Sequence, residues 1–126
     1  MSELVGKLYN ALGGWSAVDS LIEEIMKGNM TFERSGVSTV VAVLDNGIYN
    51  PYTGGLTDVR IELYPHDRCG SIFTKGFVHS DKINIREGST AYQTVLKHYQ
   101  MYVNGQERSA KSFFCVWDDR TETYLD

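Results

Sequence analysis

At Met30 the apolar period of the chain changes, and the change separates a helical start from a stranded remainder. Leu4, Val5, Leu8, Tyr9 and Leu12 recur at spacings of three and four, the period of one helix face, with Ser2 as N-cap and Gly13 as stop. After Gly13-Gly14 the pattern restarts. Ser16 is a candidate cap, Trp15 before it is placed to staple the first turn, and Val18, Leu21, Ile22, Ile25 and Met26 form a core stripe that ends at Lys27-Gly28-Asn29. From Met30 onward the alternation is of period two, which predicts strands over 30–35, 38–44, 57–64, 71–79 with a break at Gly76, and 82–86. Residues 49–55 and 65–70 carry the composition of loops. Asp45-Asn46-Gly47 is a second hairpin signal, though Pro51 shortens its return strand or confines that strand to an edge.

The alternation is strictest on the two sides of Asn104-Gly105, so the chain is expected to end in a long hairpin, 92–103 against 106–117, around a type I′ turn. A two-residue loop there sets Val103 opposite Gln106, His98 opposite Lys111 and Tyr102 opposite Glu107. His98 and Tyr102 then share one face, while Tyr99, Met101 and Arg108 share the other. Cations facing each other across a strand pair repel unless an anion covers them, which makes Tyr99, Tyr102, His98, Arg108 and Lys111 the candidate binding residues. The same charges can equally be solvated guards against edge-to-edge association, and the tyrosines and Met101 can be packing residues. A helical turn over 91–97 also fits, because Tyr92, Val95, Leu96 and Tyr99 match spacings of three and four; the alternation around Asn104-Gly105 favours strand.

These elements predict an α+β fold in one domain over 1–126: two N-terminal helices packed on one face of a curved antiparallel sheet of five to seven strands, ending in the long hairpin. The layout has an analogy in cystatin-like and nuclear-transport-factor-like cones, though no family is identified from these residues. At 126 residues the chain is long enough for an independent core, and two cysteines, Cys69 and Cys115, form neither a disulfide framework nor a zinc pattern.

The net charge of −4, with both signs interspersed, argues against a surface for duplex nucleic acid. No segment is long and apolar enough to span a bilayer, and the opening Met-Ser-Glu-Leu-Val-Gly-Lys is not that of a signal peptide, so a cytoplasmic protein with reduced thiols is expected.

Chemistry is sparse. His66-Asp67-Arg68-Cys69 sets a thiol beside a histidine and an arginine, yet such partners are normally assembled from distant positions and a polar turn has the same composition. His66, His79 and His98 lack metal-ligand spacing, Asp118-Asp119 with Glu122 has the character of a solvated acidic tail, and nucleotide-loop and esterase motifs are missing, so no cofactor, metal or catalytic residue is assigned. Eight tyrosines, five phenylalanines and two tryptophans suit recognition. The expected function is a non-enzymatic binding protein, an inhibitor, immunity or phage-encoded antagonist, that meets a protein partner through its aromatic hairpin. The alternatives are a binder of a small anion such as a nucleotide or cyclic nucleotide, at an oligomer interface or within one chain, and an enzyme with a cavity in the curled sheet.

Overall fold

The computed structural model describes residues 3–35 and 39–104. Helices α1 (Glu3–Leu12) and α2 (Trp15–Lys27) open the chain. Five strands, β1 (Met30–Ser35), β2 (Thr39–Leu44), β5 (Arg60–Tyr64), β6 (Cys69–Phe73) and β7 (Lys82–Arg86), form one antiparallel sheet in the order β1-β2-β5-β6-β7. Between β2 and β5 the chain leaves this sheet to make a separate two-stranded ribbon, β3 (Ile48–Asn50) with β4 (Gly55–Thr57). A single 3-10 turn, Pro65–Asp67, joins β5 to β6, and helix α3 (Thr90–Val103) follows β7. The α+β class and the antiparallel sheet follow the sequence expectation, with strands 30–35 and 82–86 where the alternation puts them.

The registers explain which residues face inward. Phe32, Ala42, Ile61, Ile72 and Ile83 are successive cross-strand partners and all are buried; Val40, Leu63, Gly70 and Ile85 make a second such row. These rows join one apolar cluster with Leu4, Leu8 and Leu12 of α1, Val18, Leu21 and Ile25 of α2, and Ala91, Tyr92 and Val95 of α3. The three helices therefore share the inward face of the sheet. Burying one such leucine or isoleucine contributes about 1.5–3 kcal/mol, so this cluster is the main source of stability.

Residues 92–103, expected as the first arm of a hairpin, are helix. Ser89 caps it, accepting the Tyr92 amide at 3.2 Å while its hydroxyl donates to the Arg86 carbonyl at 2.8 Å. The buried positions Ala91, Tyr92, Thr94, Val95 and His98 recur at spacings of three and four. Asn104-Gly105 is the source of the error, because Asn or Gly just past an apolar run ends a helix as readily as it turns a hairpin. Asn104 is the C-cap of α3, its amide donating to the Gln100 carbonyl at 3.0 Å. The expected return arm, 106–117, lies outside the described residues. The cone analogy, which needs long closing strands at this point, loses that support.

Three smaller corrections concern the helix starts and loops. Gly14, not Ser16, is the N-cap of α2, and Trp15 is its first residue, packed on Tyr9 of α1 with ring centres 4.9 Å apart. The apolar contact expected within α2 is thus made between helices. The stretch expected as a loop over 49–55 contains the end of β3 and the start of β4, and β6 begins at Cys69 and ends at Phe73 rather than continuing to His79.

Gly28 ties α2 to α3. It is the left-handed C-cap of α2, at φ +74°, and a Cβ there would lie 2.5 Å from ring atoms of His98, which is fully buried in α3. Gly28→Ala must therefore strain the backbone and push the His98 ring, a loss of about 3 kcal/mol measured by denaturant unfolding. Ser89→Ala removes a cap and is expected to cost about 1 kcal/mol in the same measurement. If Gly28→Ala unfolds at the wild-type midpoint, the packing of α3 on α2 is wrong.

Candidate functional site

Of the five binding residues expected from sequence, His98, Tyr99 and Tyr102 lie among the described residues, on helix α3. His98 is fully buried at the α2–α3 contact, whereas Tyr99 and Tyr102 both lay their rings against Phe32 of β1, with centres 5.6 and 5.5 Å apart. Residues three apart lie on one side of a helix, so Tyr99 and Tyr102 reach Phe32 together, whereas His98 is buried against Gly28 at the end of α2. Tyr102 remains 52% exposed. Arg108 and Lys111 lie outside the described residues, as does the acidic group 118–122. His66 is exposed in the 3-10 turn, Cys69 is half-buried at the start of β6, and His79 is exposed in the loop after β6. No cluster of three or more metal-ligating side chains occurs among the described residues, and none of the described helices is long and apolar enough to cross a membrane.

Two surfaces that the sequence did not single out carry the accessible chemistry. The first is the β3–β4 ribbon. Tyr49 and Leu56 are cross-strand partners, and Tyr52 stands in the connecting turn; Tyr52 and Leu56 are 71% and 73% exposed. Fully buried Asn50 fixes this turn. Its amide donates to Thr57 Oγ1 at 2.9 Å and to the Gly76 carbonyl at 3.0 Å, its side-chain oxygen accepts the Tyr52 amide at 2.9 Å, and its carbonyl accepts the Gly54 amide at 2.8 Å. With its donors and acceptors engaged, a buried asparagine locks geometry instead of costing desolvation. The Tyr49 amide donates to Ser20 Oγ at 3.3 Å, which sets the ribbon against α2. Val78, 41% exposed, adjoins the same region, since Gly13 at the end of α1 has room for only a hydrogen between Val78 and Pro51. Tyr9 is one turn before Gly13 in α1.

The second surface is the face of the sheet turned away from α1, α2 and α3. Residues alternating with the buried rows point there, so Val43, Arg60, Phe73 and Lys82 form one cross-strand row. The Arg60 guanidinium carbon lies 4.6 Å from the centre of the Phe73 ring, and Lys82 Nζ is 6.0 Å from that ring and 5.5 Å from Tyr64. Arg60 pairs with Glu62 at 2.7 Å, and Glu62 accepts the Tyr64 hydroxyl at 2.7 Å. Beside this row a cleft of about 650 Å3 is lined by Val43, Leu56, Thr57, Asp58, Arg60, Phe73 and Lys75. Cys69, His79 and His98 do not line it, so the curled-sheet enzyme expectation finds no support in this cleft.

Burial holds the Tyr64 hydroxyl above its usual range, reinforced by its bond to Glu62; burial does the same for Tyr92, with Glu87 adding to it. A folded-state pKa above the unfolded one means the stabilisation is complete below the ordinary tyrosine value and is lost as pH rises through the folded values, above about 10. The denaturation midpoint is therefore expected to fall above that pH, and Tyr64→Phe with Tyr92→Phe to flatten the fall. An unchanged alkaline slope in the double variant refutes this assignment.

No family model, no curated protein and no solved structure matches this chain.

Proposed function

We propose that the protein is a non-enzymatic cytoplasmic binding protein, a small inhibitor or immunity-type antagonist, that engages a protein partner through its β3–β4 ribbon. One observation carries the proposal. Of the seven large apolar side chains exposed among the described residues, Tyr49, Tyr52 and Leu56 stand on this ribbon and Val78 adjoins its turn across Gly13, while Tyr102 and Val103 stand at the end of α3 and Tyr9 on α1. Scattered exposed apolar residues need no explanation, but three on one short element mark an interaction surface. Tyrosine suits this use, since it offers a large apolar face, a hydroxyl and only two torsions to immobilise.

The ribbon is also held ready. Asn50 fixes its turn before any partner arrives, so less ordering entropy opposes association. The partner that fits is a protein with an apolar pocket for Tyr52 and a polar rim for the tyrosine hydroxyls. This replaces the hairpin of 92–117 with a different hairpin while keeping the chemistry expected of it.

A photo-crosslinking amino acid at position 52 or 56, introduced in the native cells, is expected to yield one discrete heavier adduct, whereas the same group at the exposed Gln93 of α3 gives none. Mass spectrometry identifies the partner. Equal crosslinking from all three positions, or an adduct composed only of a second copy of this chain, refutes the proposal. Tyr52→Ser is expected to abolish the adduct formed from position 56 and to change stability by less than about 0.5 kcal/mol, as for other exposed substitutions.

A further inference from the structure

The cleft beside Arg60 has a composition that the ribbon's role does not account for. Val43, Leu56 and Phe73 give it apolar lining, while Arg60 and Lys75 bring positive charge and Asp58 brings negative charge. Neither Lys75 nor Lys82 has an ion-pair partner among the described residues. A site for a bare anion gains nothing from Asp58. A site for an apolar group gains nothing from Arg60 and Lys75.

Arg60 is the best-positioned of these groups. Phe73 supports its guanidinium at 4.6 Å and Glu62, whose side chain is 16% exposed, holds it at 2.7 Å, yet the Arg60 side chain is 52% exposed. A guanidinium fixed against one ring presents a flat cationic surface on which a second planar group can stack, and it does so without the ordering cost of a free arginine. Asp58 can accept two hydrogen bonds side by side through its carboxylate. Lys75 supplies a compact positive charge at the rim, and Lys82, beyond Phe73 in the same row, adds to the field. The volume, about 650 Å3, falls within the range of small-ligand sites.

We propose that this cleft binds a nucleotide, guanine in preference to other bases. The base stacks on Arg60 between Val43 and Leu56, Asp58 accepts from the adjacent N1–H and N2–H2 groups that guanine presents together, and the phosphate is held by Lys75. This site is distinct from the protein-binding surface at Tyr49 and Tyr52, sharing with the ribbon Leu56 and Thr57 of β4, and neither tyrosine lines it, so either assignment can fail without the other.

Isothermal titration calorimetry of the full chain against guanosine monophosphate, adenosine monophosphate, uridine monophosphate, guanosine and inorganic phosphate tests it. Guanosine monophosphate is expected to bind at least tenfold more tightly than each of the others, and more weakly as salt is raised. Asp58→Asn is expected to remove the preference for guanine over adenine, and Lys75→Gln to bring guanosine monophosphate close to guanosine. Both side chains are exposed, so neither variant is expected to disturb the fold, which thermal melting confirms. Tyr52→Ser is expected to leave the titration unchanged. The proposal is overturned if guanosine monophosphate gives no binding at millimolar concentration, if inorganic phosphate binds as well as the nucleotide, or if Asp58→Asn retains the guanine preference.

Discussion

The burial of alternate residues along five strands is the constraint on which everything else in this molecule depends. Phe32, Ala42, Ile61, Ile72 and Ile83 lie in one row beneath the helices, and because side chains on a strand alternate strictly, seating that row also decides what points the other way. Arg60, Phe73 and Lys82 are neighbours on the outer face for no other reason. Slipping β5 by one residue against β6 would drive Arg60 or Glu62 into the core, at a cost of several kcal/mol for an unpaired buried charge. The core thus specifies the outer surface without touching it.

The same constraint explains how much of the fold was legible in the sequence. Half-buried strands announce themselves: β1 reads Met30-Thr-Phe32-Glu and β7 reads Lys82-Ile83-Asn-Ile85-Arg86, and both lie where alternation placed them. The amphipathic stripes of α1 and α2 are equally direct. Ribbon strands β3 and β4 are three residues each, too short to establish a period, and Pro51, Gly54 and Gly55 gave their neighbourhood the composition of a loop. The hairpin expected at Asp45-Asn46-Gly47 does not form, because β2 pairs with β1 and β5 and β3 pairs with β4; the strand after that turn is short, as Pro51 requires, and stops at Asn50. Helix α3 was missed for another reason. Tyr92, Val95, Leu96 and Tyr99 satisfy both periods, so the choice passed to Asn104-Gly105, a signal that two structures share. What decides it is non-local: Tyr92 and Val95 join the core cluster and His98 fills the space that Gly28 leaves open, contacts that a period alone cannot foresee.

The candidate site was legible only in its parts. Arg60, Glu62 and Tyr64 are readable as the outward residues of their strand, as are Lys82 and Arg86 of theirs. That Arg60 meets Phe73, and Phe73 meets Lys82, depends on strand pairing between positions 13 and 9 residues apart in sequence, for which the connecting loops carry no register signal. Aromatic rings beside cations thus occur on the sheet, at positions where the strand sequences alone give no sign of their meeting. Clusters of adjacent letters such as His66-Asp67-Arg68-Cys69 drew attention that geometry does not repay, for the turn at Pro65–Asp67 separates an exposed histidine from a thiol at the head of β6.

Buried Asn50 shows why the ribbon, despite its two three-residue strands, can present a defined surface. An isolated two-stranded ribbon of this length is not stable in water. Here the side chain of Asn50 bridges three points, the Tyr52 amide at the turn, Thr57 at the end of β4, and the Gly76 carbonyl in the loop after β6. Ile48, fully buried, anchors the same strand in the helical core. One apolar residue and one polar residue, two apart on β3, thus hold the ribbon by the same face, and the residue between them, Tyr49, is left facing outward with Leu56. The exposure of these apolar side chains is consequently not the fraying of a weak element. It belongs to a backbone fixed through its buried face, which is the condition under which an exposed aromatic surface can bind with little loss of conformational freedom.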